Sequence, residues 1–322
     1  MNTRLQTAKN TYTTDYPEAI AFSEAQDNIF WMAKEIPVEK DLHDLKTNLT
    51  EAELHGVTTV LKLFTLYELH VGNEYWLDYV RKTFPRPEVQ RMASLFGMFE
   101  LNVHAPFYDK LNEVLGFKTD EFYKSYEEDE ALSSRMKWLE REFEKGDALY
   151  ITALGSITEG AILYSNFAFL KHFQAEGKNK LMNMTAGINF SVRDENLHSM
   201  AGAWLHKELK KEMGLDELDY RKYERKIITA CEKVYEHESR IIDMIFEKGD
   251  IKGITANQMN NFIQSRINVC LSQLDIEPLY KVEYDPISTW FYKNINSGSL
   301  HDFFAKQGNN YSRDWKESNF TW

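Results

Sequence analysis

Six side chains pose the chemical question. Glu68, Glu100, Glu159 and Glu195 fall on helical faces that are otherwise apolar, and His104 and His198 lie four and three residues after the second and fourth of them. A carboxylate turned into a core is costly unless it is paired, hydrogen-bonded or bound to a cation. Any one of them alone reads as a core-edge residue with a lysine or water for company. The set reads differently. Glu68 stands 32 residues before Glu100, and Glu159 stands 36 before Glu195. Each half therefore offers a helix with one Glu followed by a helix with Glu and His on a shared face. Four such helices bring four carboxylates and two imidazoles around one space, the donor count of a carboxylate-bridged dinuclear metal site. Oxygen-rich, nitrogen-poor donors suit iron or manganese better than zinc or copper.

The elements that must position these groups are helices. From residue 49 to 80 an apolar stripe of Val57, Val60, Leu61, Phe64, Val71 and Tyr75 has a 3.6-residue period, and Thr50 with Glu53 makes a capping box at its start. After Phe84-Pro85-Arg86-Pro87, a second stripe carries Val89, Met92, Ala93, Phe96, Val103 and Phe107. Helical patterns follow at 120–145, 148–174, 178–212, 217–248 and 255–273. No alternating strand pattern and no tandem repeat appears. The fold class expected is all-α, a ferritin-like helical bundle with additional helices. Residues 1–296 form its domain, including an irregular or short-helical lead over 1–48, and residues 297–322 form a flexible C-terminal tail. That tail is polar yet studded with aromatics, as suits a docking segment that orders on a partner.

Composition narrows the partners. The 322 residues carry a formal net charge of −12 with no long basic run, which argues against nucleic acid. Gly and Pro number only 15 and 7, and 43% of residues are hydrophobic, excluding collagen-like, low-complexity and disordered chains. Two cysteines, Cys231 and Cys270, without CxxC spacing leave neither thiolate zinc nor a disulfide framework and suit a reducing, cytoplasmic compartment. The start, MNTRLQTAKN, has no apolar signal core. Residues 151–170 resemble a membrane span, but Glu159 sits near the middle, and the expectation is a central bundle helix rather than a membrane segment.

From about residue 27 onward the chain resembles the radical-generating small subunit of class I ribonucleotide reductase. VRDENLH at 192–198 is similar to that family's Arg-Asp-Glu-x-x-His element. EGAILYSNFA from Glu159, the LTEAELHGV…LKLFTLYE segment ending at Glu68, NIFWMAKEIP around Trp31, and HDFF…NNY with the closing SNFTW add to the likeness. The resemblance implies that Glu68, Glu100 and His104 hold one metal ion and Glu159, Glu195 and His198 a second. It implies two metal ions per chain, iron first, with manganese or a mixed pair on the same ligands. Tyr108 matches the tyrosine oxidised to a stored radical, and Trp31, Asp194 and Tyr311 match radical-transfer positions. It further implies a homodimer, a large-subunit partner reached through the tail, and a flavoprotein activase.

Two positions depart from that family's pattern. Its first carboxylate–histidine pair is spaced E-x-x-H, whereas the residue three before His104 is Leu101 and Glu100 is four before. A π-bulge, which adds one residue to a turn, would restore the geometry, and Pro106 makes local irregularity reasonable. Ser191 stands where an apolar residue is usual near the radical. Another ferritin-like dimetal oxidase or desaturase acting on a lipid fits the same ligands but gives Trp31, Asp194 and the aromatic tail no task. A third reading is iron storage, or a helical interaction module without catalysis; storage bundles are usually shorter and assemble into cages. Truncation after Gly308 separates them: pull-down against the large subunit should lose all binding while bound metal is unchanged, and a truncated chain that still supports nucleotide reduction would refute the assignment of the tail.

Overall fold

The structure is a computed structural model that describes residues 3–144 and 147–293. Tyr311, the tail at 297–322 and the proposed domain boundary before it lie outside the described residues. Eleven helices position the site: α1 Pro17–Asn28, α2 Glu51–His70, α3 Pro87–Phe99, α4 Ala105–Leu115, α5 Glu130–Phe143, α6 Ala148–Ala161, α7 Tyr164–Lys171, α8 Met182–Met213, α9 Glu217–Ile245, α10 Ala256–Gln273 and α11 Pro286–Phe291. Among the described residues there is no strand, only an isolated bridge between Ile251 and Ile254. The all-α reading holds.

Local sequence explains where these helices begin. Thr50 accepts from the Glu53 amide at 3.2 Å while Glu53 accepts from the Thr50 amide at 2.8 Å, so the expected capping box opens α2. Thr255 and Gln258 repeat the device at α10. Asp129, Asp147 and Asp216 cap α5, α6 and α9.

Three helices differ from their expected form. The helix carrying Glu68 does not stay α throughout: Val71–Val80 winds as a π-helix directly after α2. The stretch expected as one helix over 148–174 breaks after Ala161, where Ile162 is extended and Leu163 takes φ +69° before α7 begins. Residues 120–145 likewise divide, with Asp129 capping a fresh start at α5. Among the described residues no helix is long and apolar enough to cross a membrane. Every residue from Leu149 to Lys171 is buried, as a central bundle helix requires.

The packing of α6 on α8 brings the two halves together. A Cβ on Gly202 would sit 3.0 Å from the Ser156 backbone, so glycine lets the helices approach closely. Ser156 Oγ donates to the Ser199 carbonyl at 2.8 Å and Ser199 Oγ donates to the Ser156 carbonyl at 2.9 Å. These paired bonds lock the register within one turn of Glu159 on α6 and of Glu195 and His198 on α8. The end of α6 is held by Arg266 of α10, which donates to the Gly160 carbonyl from Nε at 3.0 Å and Nη2 at 2.7 Å. Beyond the break, Glu238 of α9 accepts from the amide and hydroxyl of Ser165 and pairs with Arg135 of α5 at 2.7 Å, both charged side chains fully buried. Arg135→Met would strand the Glu238 charge in the core and should cost about 3–5 kcal/mol in denaturant unfolding. Arg135→Met with Glu238→Gln, which removes the stranded charge and keeps an acceptor for Ser165, should recover most of that loss, and equal stability of the two variants would contradict this account.

Candidate metal centre

Glu68 closes the last turn of α2. Glu100 and His104 come from the segment between α3 and α4, Glu159 from α6, and Glu195 and His198 from α8. All six are buried. The Glu100–His104 segment is itself a π-helix. An ordinary α-turn places i and i+4 on one face but rotates the chain beyond them differently; the extra residue here lets Glu100 and His104 reach the space that an E-x-x-H spacing would serve. The π-bulge expected from the Leu101 departure is present. Gly72, on the π-helix after α2, makes it possible: a Cβ there would lie 2.9 Å from Glu100 Cβ and from Leu101 Cγ.

The donors form two overlapping groups, Glu68, Glu100, His104 and Glu195, and Glu100, Glu159, Glu195 and His198. In each, one donor atom per residue lies within 4.8 Å of the others. Each expected triad, Glu68–Glu100–His104 and Glu159–Glu195–His198, is contained in one of these groups. Glu100 and Glu195 belong to both groups, because each side chain stands between the two imidazoles, while Glu68 with His104 and Glu159 with His198 mark the two ends. Glu100 and Glu195, one from each half of the bundle, would be the carboxylates in reach of both ions of a pair.

Both imidazoles are oriented from behind. His104 Nε2 donates to Asp194 Oδ2 at 3.0 Å, and the same oxygen accepts from Trp31 Nε1 at 2.7 Å. His198 Nε2 donates to Gln26 Oε1 at 3.0 Å, and Gln26 Nε2 donates to Asp194 Oδ1 at 3.1 Å. One aspartate thus fixes both rings, directly and through Gln26, and leaves each Nδ1 facing the carboxylates. Such outer partners set tautomer and ring orientation. His104 Nδ1 lies 2.8 Å from Glu100 Oε2 and 3.1 Å from Glu195 Oε1, and His198 Nδ1 lies 2.6 Å from Glu100 Oε1.

Gln26 and Trp76 are the two contributors that sequence reasoning missed. Trp76 Nε1 makes a short hydrogen bond to Glu159 Oε1. Neither belongs to a motif. Gln26 is a buried polar residue on an α1 with little amphipathic pattern, and Trp76 looks like one more core aromatic until the π-helix turns it inward.

The electrostatics show what the cluster lacks. Burial raises Glu68, Glu159 and Glu195, and their carboxylate neighbours add to the shift; Glu195 is pushed up to about 8. Burial opposes ionisation of Glu100 as well, but the two histidines facing it outweigh burial and hold its carboxyl far below the usual range. His104 is raised well above its ordinary value: burial works against the charge, and Glu100, Asp194 and Glu195 overcome it. Protons therefore stand where cations would neutralise the set. Glu68 Oε1 finds no hydrogen-bond partner, and Glu195 Oε1 and His198 Nδ1 meet their neighbours without hydrogen-bond geometry. Buried donor atoms left open in this way, all oxygens or imidazole nitrogens, fit a pair of divalent cations.

Tyr108 sits in α4, fully buried, its ring stacked on Phe64 with centroids 4.3 Å apart and 7° between planes. Burial raises its phenol well above the ordinary value, Glu68 adds to this, and His104 and Ser191 oppose it. Ser191 Oγ stands beside it, near enough to favour the ionised phenol but without hydrogen-bond geometry; neither hydroxyl has another partner.

Known proteins share the sequence pattern and the fold. The sequence profile described as "Ribonucleotide reductase, small chain" matches residues 8–286. The chain belongs to that family. It is similar to a probable ribonucleoside-diphosphate reductase small subunit of Invertebrate iridescent virus 3, 24% identical over 96% of this chain and 85% of the relative. It is similar also to the ribonucleoside-diphosphate reductase small chain 1 of Saccharomyces cerevisiae, 26% identical over 88% of this chain and 68% of the relative. Dimanganese(II)-NrdF of Streptococcus sanguinis shares the fold, with a TM-score of 0.77 at 22% identity over 88% of this chain and 98% of that one. This small chain is accordingly part of an oxidoreductase, and its buried Glu/His cluster can hold two metal ions.

Because the donors must shed protons to bind a cation, affinity for Mn(II) should rise with pH until Glu195 is ionised near 8, with protons released on binding. Stability of the metal-free chain should move the other way. A carboxyl raised in the folded state stabilises fully below its unfolded value near 4.5 and loses that contribution as pH climbs through about 8. Calorimetric titration and thermal unfolding at pH 6 and pH 9 measure both, and a pH-independent affinity would contradict the assignment of Glu195.

Proposed function

We propose that this small chain generates and stores the radical that a separate large subunit uses to reduce ribonucleotides. The observation that carries the reading is the unbroken line Trp31–Asp194–His104, which joins an indole to the cluster through one carboxylate oxygen. An oxidase acting on a free substrate has no use for such a connection. In this reading Glu68, Glu100, His104, Glu159, Glu195 and His198 are the metal ligands, with Glu100 and Glu195 shared. Iron comes first among the metals; manganese or a mixed pair suits the same oxygen-rich donors, and the dimanganese neighbour supports that range. When bound and reduced, the metal pair supplies the oxidising power on meeting oxygen or a reduced oxygen species.

The chain's own residues set what that power acts upon. Tyr108 is the side chain oxidised. Its buried phenol holds its proton well above the ordinary range, so oxidation takes an electron and that proton together. The stacked Phe64 and neighbouring Phe107 keep water from the ring and slow its quenching. Trp31, 5.9 Å from the His104 ring, and Asp194 form the outward route. Tyr311 in the tail continues it to the large subunit. The sequence holds neither a GxxxxGK(S/T) nor a GxGxxG phosphate loop, and in this reading substrate reduction belongs to the partner.

Assembly follows the family. A second copy of this chain completes a homodimer, a state that the yeast Rnr4 homodimer, of the same fold at 18% identity, supports. The large subunit docks through residues 297–322, and a flavoprotein activase is a further partner. The cytoplasm suits such a complex.

The test is metal counting and electron paramagnetic resonance on anaerobically purified chain loaded with Fe(II) or Mn(II) and then exposed to oxygen. The expected result is two metal ions per chain and a tyrosyl signal in the iron form. Tyr108→Phe should keep both ions and lose the signal. A signal that survives Tyr108→Phe places the radical elsewhere, and one ion or none per chain removes the dinuclear reading.

A further inference from the structure

A cavity of about 440 Å³ opens between the π-helix Val71–Val80 and the end of α5. Its rim carries four carboxylates, Glu74, Asp78, Glu140 and Glu144. Lys82, paired with Asp78, is the only lysine or arginine paired with any of the four among the described residues, and His70 pairs with Glu74 at 3.0 Å. The cavity mouth is therefore acidic on balance.

Two of its lining residues are next in sequence to residues of the metal centre. Thr158 lines the cavity, and the next residue is Glu159. Tyr75 lines it too, on a side chain only 2% exposed, and its hydroxyl has no hydrogen-bond partner. Space for that hydroxyl is made by Gly155, where a Cβ would fall 2.2 Å from it. The Tyr75 ring rests against Trp76 with centroids 4.7 Å apart, and Trp76 is the residue that holds Glu159. Burial, then the charge of Glu159, raise the Tyr75 phenol well above its ordinary value. From rim to cluster the order is surface carboxylates, an open phenol oxygen, then Glu159.

The geometry points to this cavity as the loading mouth through which hydrated divalent cations reach the cluster. The rim carboxylates gather the cation, the Tyr75 oxygen offers a neutral donor at the constriction, and Glu159 receives it. Glu159 suits that task. It sits near the end of α6, just before the chain breaks at Ile162 and Leu163, and one tryptophan bond holds its carboxylate in place. An acidic cleft concentrates cations and speeds their capture by about 10- to 1000-fold at low ionic strength, without altering how tightly the buried ligands finally hold them.

The inference rests on the cluster being a metal site, and the experiment separates the two ideas. The full-length chain, stripped of metal, is mixed with Mn(II) alone, and uptake is followed by loss of the free-ion electron paramagnetic resonance signal. The variant Glu74→Gln/Asp78→Asn/Glu140→Gln/Glu144→Gln should load about tenfold more slowly at low salt yet reach the wild-type endpoint. Added salt should slow the wild type towards the variant's rate. Tyr75→Phe should also slow loading with its endpoint unchanged. A control, Glu217→Gln/Glu232→Gln/Asp243→Asn/Asp250→Asn, neutralises four exposed acids that do not line the cavity and should load at the wild-type rate. Wild-type loading by the rim variant, or equal slowing in the control, overturns the inference while leaving the metal site intact. Failure of the unaltered chain to take up Mn(II) overturns the metal site itself.

Discussion

Four carboxylates share one buried volume, and they cannot all be ionised there without cations. Separate charges in a medium of low polarity repel strongly and have lost their hydration. Without metal, the chain meets this constraint by dividing the labour. Glu100 stays ionised against two imidazoles, while Glu68, Glu159 and Glu195 are pushed towards the protonated form. The surrounding architecture serves that set. Asp194 and Gln26 turn both rings so that Nδ1 faces inward, Trp76 restrains Glu159, and the Ser156–Ser199 bonds hold the two halves in register. Charge placed this way is poor for the stability of the empty protein and suited to capturing two ions.

Departures from regular helix cluster around the same residues. Two π-helical stretches, Val71–Val80 and Glu100–His104, face each other across Gly72, and the break at Ile162–Leu163 follows Glu159 by three residues. A regular α-turn with Glu100 four residues before His104 would aim that pair differently from the Glu195–His198 pair on α8. The deviations do the aiming, and distant contacts stabilise them: Arg266 on the Gly160 carbonyl, Glu238 on the Ser165 amide and hydroxyl.

Much of this was legible in the sequence because burial leaves a periodic trace. The stripes around Val57–Phe64 and Val89–Phe96 locate helices, and a Glu on such a stripe is conspicuous. The six donors, Trp31 and Asp194 could be picked out from types, spacing and resemblance, and the structure brings all eight together. What the sequence concealed was set by tertiary contact. The break after Ala161 falls inside an apolar run with no Gly or Pro at the turn itself, where Leu163 adopts φ +69°. Gln26 and Trp76 have meaning only through their partners. The sharing of Glu100 and Glu195 depends on where side chains meet in space, which no spacing along one helix encodes.

The π-turn at Glu100–His104 has a consequence for how this lineage is compared with its relatives. A π-turn is one residue more than the α-turn it replaces, so it amounts to an insertion whose effect is absorbed within a single turn while both flanking helices keep their faces. An alignment that allows no gap there pairs Leu101 with the ligand carboxylate and reports a lost donor. Placing the gap inside the turn restores Glu100 to its place. A relative whose motif is out of step by one position keeps its full donor set wherever its helix is wound more widely at that turn.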